Sequence, residues 1–313
     1  MAKLGTGYRP DPSHVVAARD PGAFARFTAP RLVGVGTYPM ATRNRDSIPL
    51  SKGGPGIWNQ VSLSGCTGMA SGGAGTARFA IAGTPLPEAL SPIGPYKLGR
   101  GIDRTPNDDG TYPALVDEGA EPTQVIRAAM TFGMASLSGW GEFPPANPAT
   151  INVEATAAQL EAAGEFVLGG AYFLPNDDTG ARILGIIRAC TLGEPLTGSI
   201  AASGNAFEGY SGGILTASQL TGPLDHYTYT IDHAWTGSSA DWATFVSALQ
   251  NGDTSIWTPM LPSFTTFDVN SWDVSWGWSD VAGLSGGFYQ IDGSAIAQRS
   301  DQAVWEIEQG PST

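Results

Sequence analysis

Cysteine is nearly absent: Cys66 and Cys190 are the only two in 313 residues. Two thiols cannot build a secreted disulfide framework or a four-cysteine zinc site. Charge is scarce as well. Only 14% of residues are charged, three of them lysine (Lys3, Lys52, Lys97), and 29 acids against 16 bases leave a net charge of −13. A surface of that sign repels phosphate backbones and anionic headgroups, so neither nucleic acid nor a membrane is an expected partner. No run of about 18 residues escapes polar interruption, and Met1 to Asp11 holds no apolar signal core, so neither a transmembrane segment nor a signal peptide is expected. No internal repeat and no low-complexity tract is visible.

The chain is 42% apolar, enough for a real interior, and its length suits one large domain or two lobes. Its 42 glycines and 23 prolines point to many turns and short elements. Residues 1–56, rich in Pro, Gly and Arg without periodicity, read as an extended arm. Residues 57–163 read as a helical lobe: a small-residue helix over Cys66–Ala82, another over Pro122–Phe132 with Val125, Ile126 and Ala129 on one face, and a third over Ala155–Ala163. Residues 164–313 read as a β-rich lobe. Its strand-like runs are Phe166–Phe173, Gly198–Ala202, His226–Ile231, Thr265–Val269 and Gly287–Ile291, with a helix at Ala181–Cys190. The shift from helical to β patterning implies an α+β arrangement.

The most informative local feature is Asn59-Gln60-Val61-Ser62-Leu63-Ser64-Gly65-Cys66, where an amide side chain precedes a cysteine by six residues at a helix start. A helix N-terminus offers unpaired N–H groups and partial positive charge, which favour a thiolate and can bind a developing oxyanion. Without further context, a cysteine in a small-residue helix is more often an inert core thiol. Cys190, in an Ile-rich helix, fits that bland reading better still. A cysteine nucleophile needs a base, and only His14, His226 and His233 are available. His14 lies in the arm, whereas His226 opens the alternating run Tyr227-Thr228-Tyr229-Thr230-Ile231 at a strand entrance. In Asn270-Ser271-Trp272-Asp273-Val274-Ser275-Trp276-Gly277, an Asn side chain can hold a histidine tautomer while a Trp covers the pair.

Taken together, these cues resemble the papain-like (C1) cysteine peptidases: a glutamine six residues before the cysteine, a Leu224-Asp225-His226 strand and an Asn-Ser-Trp segment, in that order. Phe207 to Ile214 and Gly286 to Ile291 also resemble that family's histidine loop and closing strand. In the first half Tyr8-Arg9-Pro10-Asp11, Leu90-Ser91-Pro92 with Tyr96, Asp117-Glu118-Gly119, Gly133 and Trp140 look more like bacterial and viral members than papain. The likeness spans residues 8 to 291, loosely between motifs.

The resemblance implies a two-lobed α+β fold with a barrel-like second lobe and the active site in the cleft between the lobes. It implies Cys66 as nucleophile, His226 as base and acid, Asn270 as the orienter of His226, and the Gln60 side chain with the Cys66 N–H as oxyanion hole. Trp272, Trp276 and Tyr227 would wall the cleft, the substrate would be a peptide or protein, and no cofactor is needed.

An insertion at about 236–262, containing the helix-like Ser239–Leu249, is a candidate assembly surface together with the arm. These two features motivate a rival reading: a papain-fold structural or binding subunit of a phage or other particle, with a relict or accessory site. The expected location is accordingly cytoplasmic or virion-associated. Gly209-Tyr210-Ser211-Gly212-Gly213 also satisfies the serine-hydrolase elbow G-x-S-x-G, but Ile214–Pro223 lacks the apolar stripe of the helix that must follow.

Overall fold

A computed structural model describes residues 60, 63–81, 86, 88–102, 104–141, 145–174, 183, 186, 196–201, 214–220, 224–229, 232–234, 239–264, 266–270, 288–293, 295–296 and 304–309. The arm at 1–56 and most of the Ala181–Cys190 segment, Cys190 included, lie outside these residues, although positions 183 and 186 are helical and their isoleucines buried.

Helix α1, Cys66–Ile81, is the small-residue segment read from the sequence. Its glycines are tolerated because they face close neighbours. A Cβ at Gly68 would stand 2.6 Å from the Pro92 carbonyl oxygen, so only hydrogen lets α2, Ile93–Ile102, approach. Helix α3, Pro122–Thr131, starts with proline at its first position, where a missing N–H costs nothing, and buries Val125, Ile126 and Ala129 as its pattern required. The short α4, Leu137–Trp140, buries Leu137 and Trp140. Helix α5, Ala157–Ala163, opens with a reciprocal capping box between Thr156 and Gln159.

Two apolar clusters hold these helices together. One gathers Leu63, Ile93, Tyr96, Val125 and Trp140; the other gathers Ala74, Phe79, Leu90, Met134 and Phe166, with the Phe79 and Phe166 rings edge to face at 5.4 Å. Leu63 brings the segment that precedes Cys66 into the first cluster, so the helix start is anchored in the core.

The strands are β1 (Leu168–Leu174), β2 (Leu196–Ala201), β3 (Ile214–Leu215), β4 (Leu224–Tyr229), β5 (Asp232–Ala234), β6 (Thr266–Asn270), β7 (Phe288–Asp292) and β8 (Val304–Gln309). They form two four-stranded sheets, ordered β1-β8-β2-β4 and β3-β7-β6-β5. All pairings are antiparallel except β3 with β7. Helix α1 lies against β4, β2 and β8 of the first sheet, and β4 also approaches β6 of the second.

In the chain between β5 and β6 come α6 (Ser239–Gln250) and α7 (Thr254–Phe264), which occupy the segment read as an insertion. The run His226–Ile231 ends as a strand at Tyr229, and His233 belongs to β5 in the other sheet. After Ile214–Leu215 the chain makes a turn over 217–219 rather than a helix, so the described part of that segment does not supply the helix of a serine-hydrolase elbow.

Candidate active site

Cys66 is the first residue of α1, and the helix ladder opens with the Met69 N–H donating to the Gly65 carbonyl at 3.0 Å. The first-turn N–H groups of a helix have no partner within it, and they carry the positive end of its dipole. The Cys66 side chain is fully buried, next to Met69 and Ala70.

Gln60 sits on the turn that leads into this helix. The Leu63 N–H donates to the Gln60 carbonyl at 3.1 Å, and Gln60 Nε2 donates to the Leu63 carbonyl at 2.5 Å. One amide hydrogen thereby fixes the plane of the side chain. The carboxamide nitrogen carries a second hydrogen that this bond leaves uncommitted.

The residue after Leu63 is held from a distance. The Ser64 N–H donates to both oxygens of Asp117, at 3.2 and 3.1 Å, and Asp117 also accepts the Tyr96 hydroxyl at 2.5 Å. Burial is the main reason the Tyr96 phenol is pushed well above its ordinary range, with the Asp117 carboxylate adding to the effect and the Arg100 guanidinium opposing it. The phenol is therefore a standing donor. Sequence reading did not assign Asp117 or Tyr96 a role; the only signal was their place in segments on which the family resemblance was read.

His226 lies on β4, opposite Ser199 of β2. Asn270 is the last residue of β6, opposite Phe288. The fold therefore brings the three elements into a chain of neighbours, α1 against β4 and β4 against β6. The side chains of His226, Tyr227 and Asn270 lie outside the described residues, as do Trp272 and Trp276 altogether.

Just after Cys66, Thr67 Oγ1 and Ser71 Oγ are buried without a hydrogen-bond partner. They are four residues apart and so share one face of α1. Among the described residues no group of three or more His, Cys, Asp or Glu side chains could hold a metal ion, and no helix is long and apolar enough to cross a membrane.

Helix α1 packed on an antiparallel sheet, with the second sheet adjoining, gives the α+β fold of the papain-like cysteine proteases. The chain is similar to xylellain, a cysteine protease from Xylella fastidiosa, at 15% identity and a TM-score of 0.55 over 98% of this chain and 97% of that one. It is also similar to the digestive procathepsin L 3 of Tenebrio molitor larval midgut, at 14% identity and a TM-score of 0.58 over 94% of this chain and 78% of that one. A third likeness is to the Carica candamarcensis cysteine protease CMS1MS2 in complex with E-64, at 16% identity and a TM-score of 0.53 over 87% and 100% of the two chains. No protein-family model and no curated protein matches the sequence.

Proposed function

We propose that the chain is a papain-like cysteine peptidase that hydrolyses peptide bonds through Cys66, His226 and Asn270. The observation that carries this reading is Cys66 at the first position of a long helix, with the Gln60 amide held on the preceding turn, in a fold shared with cysteine proteases.

In this mechanism the Cys66 thiolate attacks the peptide carbonyl, and the oxygen takes up negative charge between the Cys66 N–H and the second Gln60 amide hydrogen. The protonated His226 gives its proton to the leaving amine, and the acyl group stays on sulfur as a thioester. Water, deprotonated by His226, then attacks the thioester and releases the acid and the thiol. Asn270 orients the His226 ring, and Trp272, Trp276 and Tyr227 wall the cleft. The substrate is a peptide or protein, and no cofactor takes part.

The test is a peptide carrying an acyl-trapping electrophile, followed by mass spectrometry of the labelled residue. One adduct on Cys66, lost in His226→Ala, supports the assignment. Labelling of Cys190 alone, or none in folded protein, overturns it.

The complete burial of Cys66 favours a second reading, a papain-fold structural or binding subunit whose site is relict or accessory. Its assembly partners would engage residues 1–56 or the α6–α7 segment. An unreactive Cys66 in a chain that forms defined oligomers would favour this reading over the peptidase.

A further inference from the structure

Asp117, half-buried, and the buried Tyr96 form a pair beside the backbone that leads into Cys66. Asp117 takes the Ser64 N–H through both oxygens, and Tyr96 takes the Gly119 N–H at 3.3 Å while giving its own proton to Asp117. The Tyr96 ring lies on Gly65, where a Cβ would be 3.7 Å from Tyr96 Cδ1, and on Gly68. On the ring's own side the Arg100 guanidinium sits over it, 4.2 Å from its centroid. Arg100 is itself held by the carbonyls of Val116 and Ile151 and by Asn152 Oδ1.

Ser64 is the joint between two rigid parts. Before it, the Gln60–Leu63 turn fixes the amide; after it, the Gly65 carbonyl starts the helix of Cys66. The angle at Ser64 therefore sets how far the Gln60 amide stands from the Cys66 N–H. An oxyanion hole works only when both donors converge on one oxygen, and small misplacements there cost rate rather than binding.

We propose that Asp117 is a positioning residue for the reaction, holding the Ser64 joint so that the Gln60 amide and the Cys66 N–H converge. This rests on the peptidase reading of Cys66. By charge alone a carboxylate beside this loop opposes thiolate formation, so its removal would speed alkylation of Cys66 at acid pH. Positioning demands the opposite result.

The experiment compares wild type with Asp117→Asn, which keeps the size but sets an NH2 group against the Ser64 N–H or the Tyr96 hydroxyl. We expect kcat to fall at least about tenfold with KM within about threefold, because the lost interaction belongs to the transition state. Alkylation of Cys66 by a peptide electrophile should slow across the pH range. Should Asp117→Asn not fold, Tyr96→Phe removes one donor to Asp117 and should shift kcat in the same direction by less. If the folded variants alter thermal stability but keep the wild-type kcat and alkylation profile, or if alkylation speeds up at acid pH, the positioning role is overturned and the peptidase reading stands. If wild type itself neither cleaves peptides nor reacts at Cys66, the peptidase reading fails, and the positioning role with it.

Discussion

The point where a Gly68 side chain would begin lies 2.5 Å from the Cβ of Tyr96. Backbone, not a movable side-chain tip, also closes the other side, at the Pro92 carbonyl. Gly68→Ala should therefore lower stability by about 1–3 kcal/mol through overpacking, outweighing the ~1 kcal/mol that alanine gains in helix propensity. Gly101→Ala, whose nearest neighbour would be the tip of Arg104 at 3.6 Å, should be neutral or stabilising. Urea midpoints of the two variants check the opposite signs.

Gln60→Ala should reduce kcat by about 10²–10³-fold and leave KM nearly unchanged, since one of two oxyanion donors is removed. Its hydrogen bond to Leu63 is local and partly buried, so the stability change should stay near 1 kcal/mol. Steady-state kinetics with a peptide substrate, alongside thermal unfolding, separates the two effects.

The buried Tyr96 phenol keeps its proton in the folded chain well past the ordinary tyrosine value of 10.0, at which the unfolded chain releases it. The folded state then binds more protons than the unfolded one, so stability is intact below pH 10 and declines as pH rises beyond it. Denaturant unfolding between about pH 9 and 11 should show this slope in wild type and a shallower one in Tyr96→Phe.

Arg100→Lys should destabilise by about 2–3 kcal/mol, because a single ammonium cannot reproduce a planar fork that reaches two carbonyls and an amide oxygen while stacking on a ring. Equilibrium unfolding measures the loss. A change below ~0.5 kcal/mol, the range of an ordinary surface substitution, would show that the fork contributes little.

Much of the fold was legible in the sequence because its signals are local. The small-residue run gave α1 almost to the residue, and the strand-like runs at 166–173, 198–202, 226–231, 265–269 and 287–291 all coincide with strands, with ends shifted by a residue or two. Helix α2 was not legible. Gly94, Pro95, Gly99 and Gly101 argue against a helix by propensity, yet Gly94 lies under the Trp140 ring and Gly99 on the Val125 backbone, so tertiary packing decides. Helix α7 was hidden in the same way by Pro259 and Pro262. At the site, spacing and resemblance could nominate Gln60, Cys66, His226 and Asn270. The hold of Asp117 on Ser64 could not: it joins residues 53 positions apart through a backbone N–H, which leaves no mark on side-chain periodicity.

Strand β8 lies between β1 and β2, yet it comes from residues 304–309, roughly a hundred positions after β2. During synthesis on the ribosome, the sheet that supports α1 consequently stays split until those residues emerge. Long-range pairing of this kind is slow and leaves strand edges bare meanwhile. A nascent chain halted before residue 304 should carry its helices without a finished support, a natural client for chaperones.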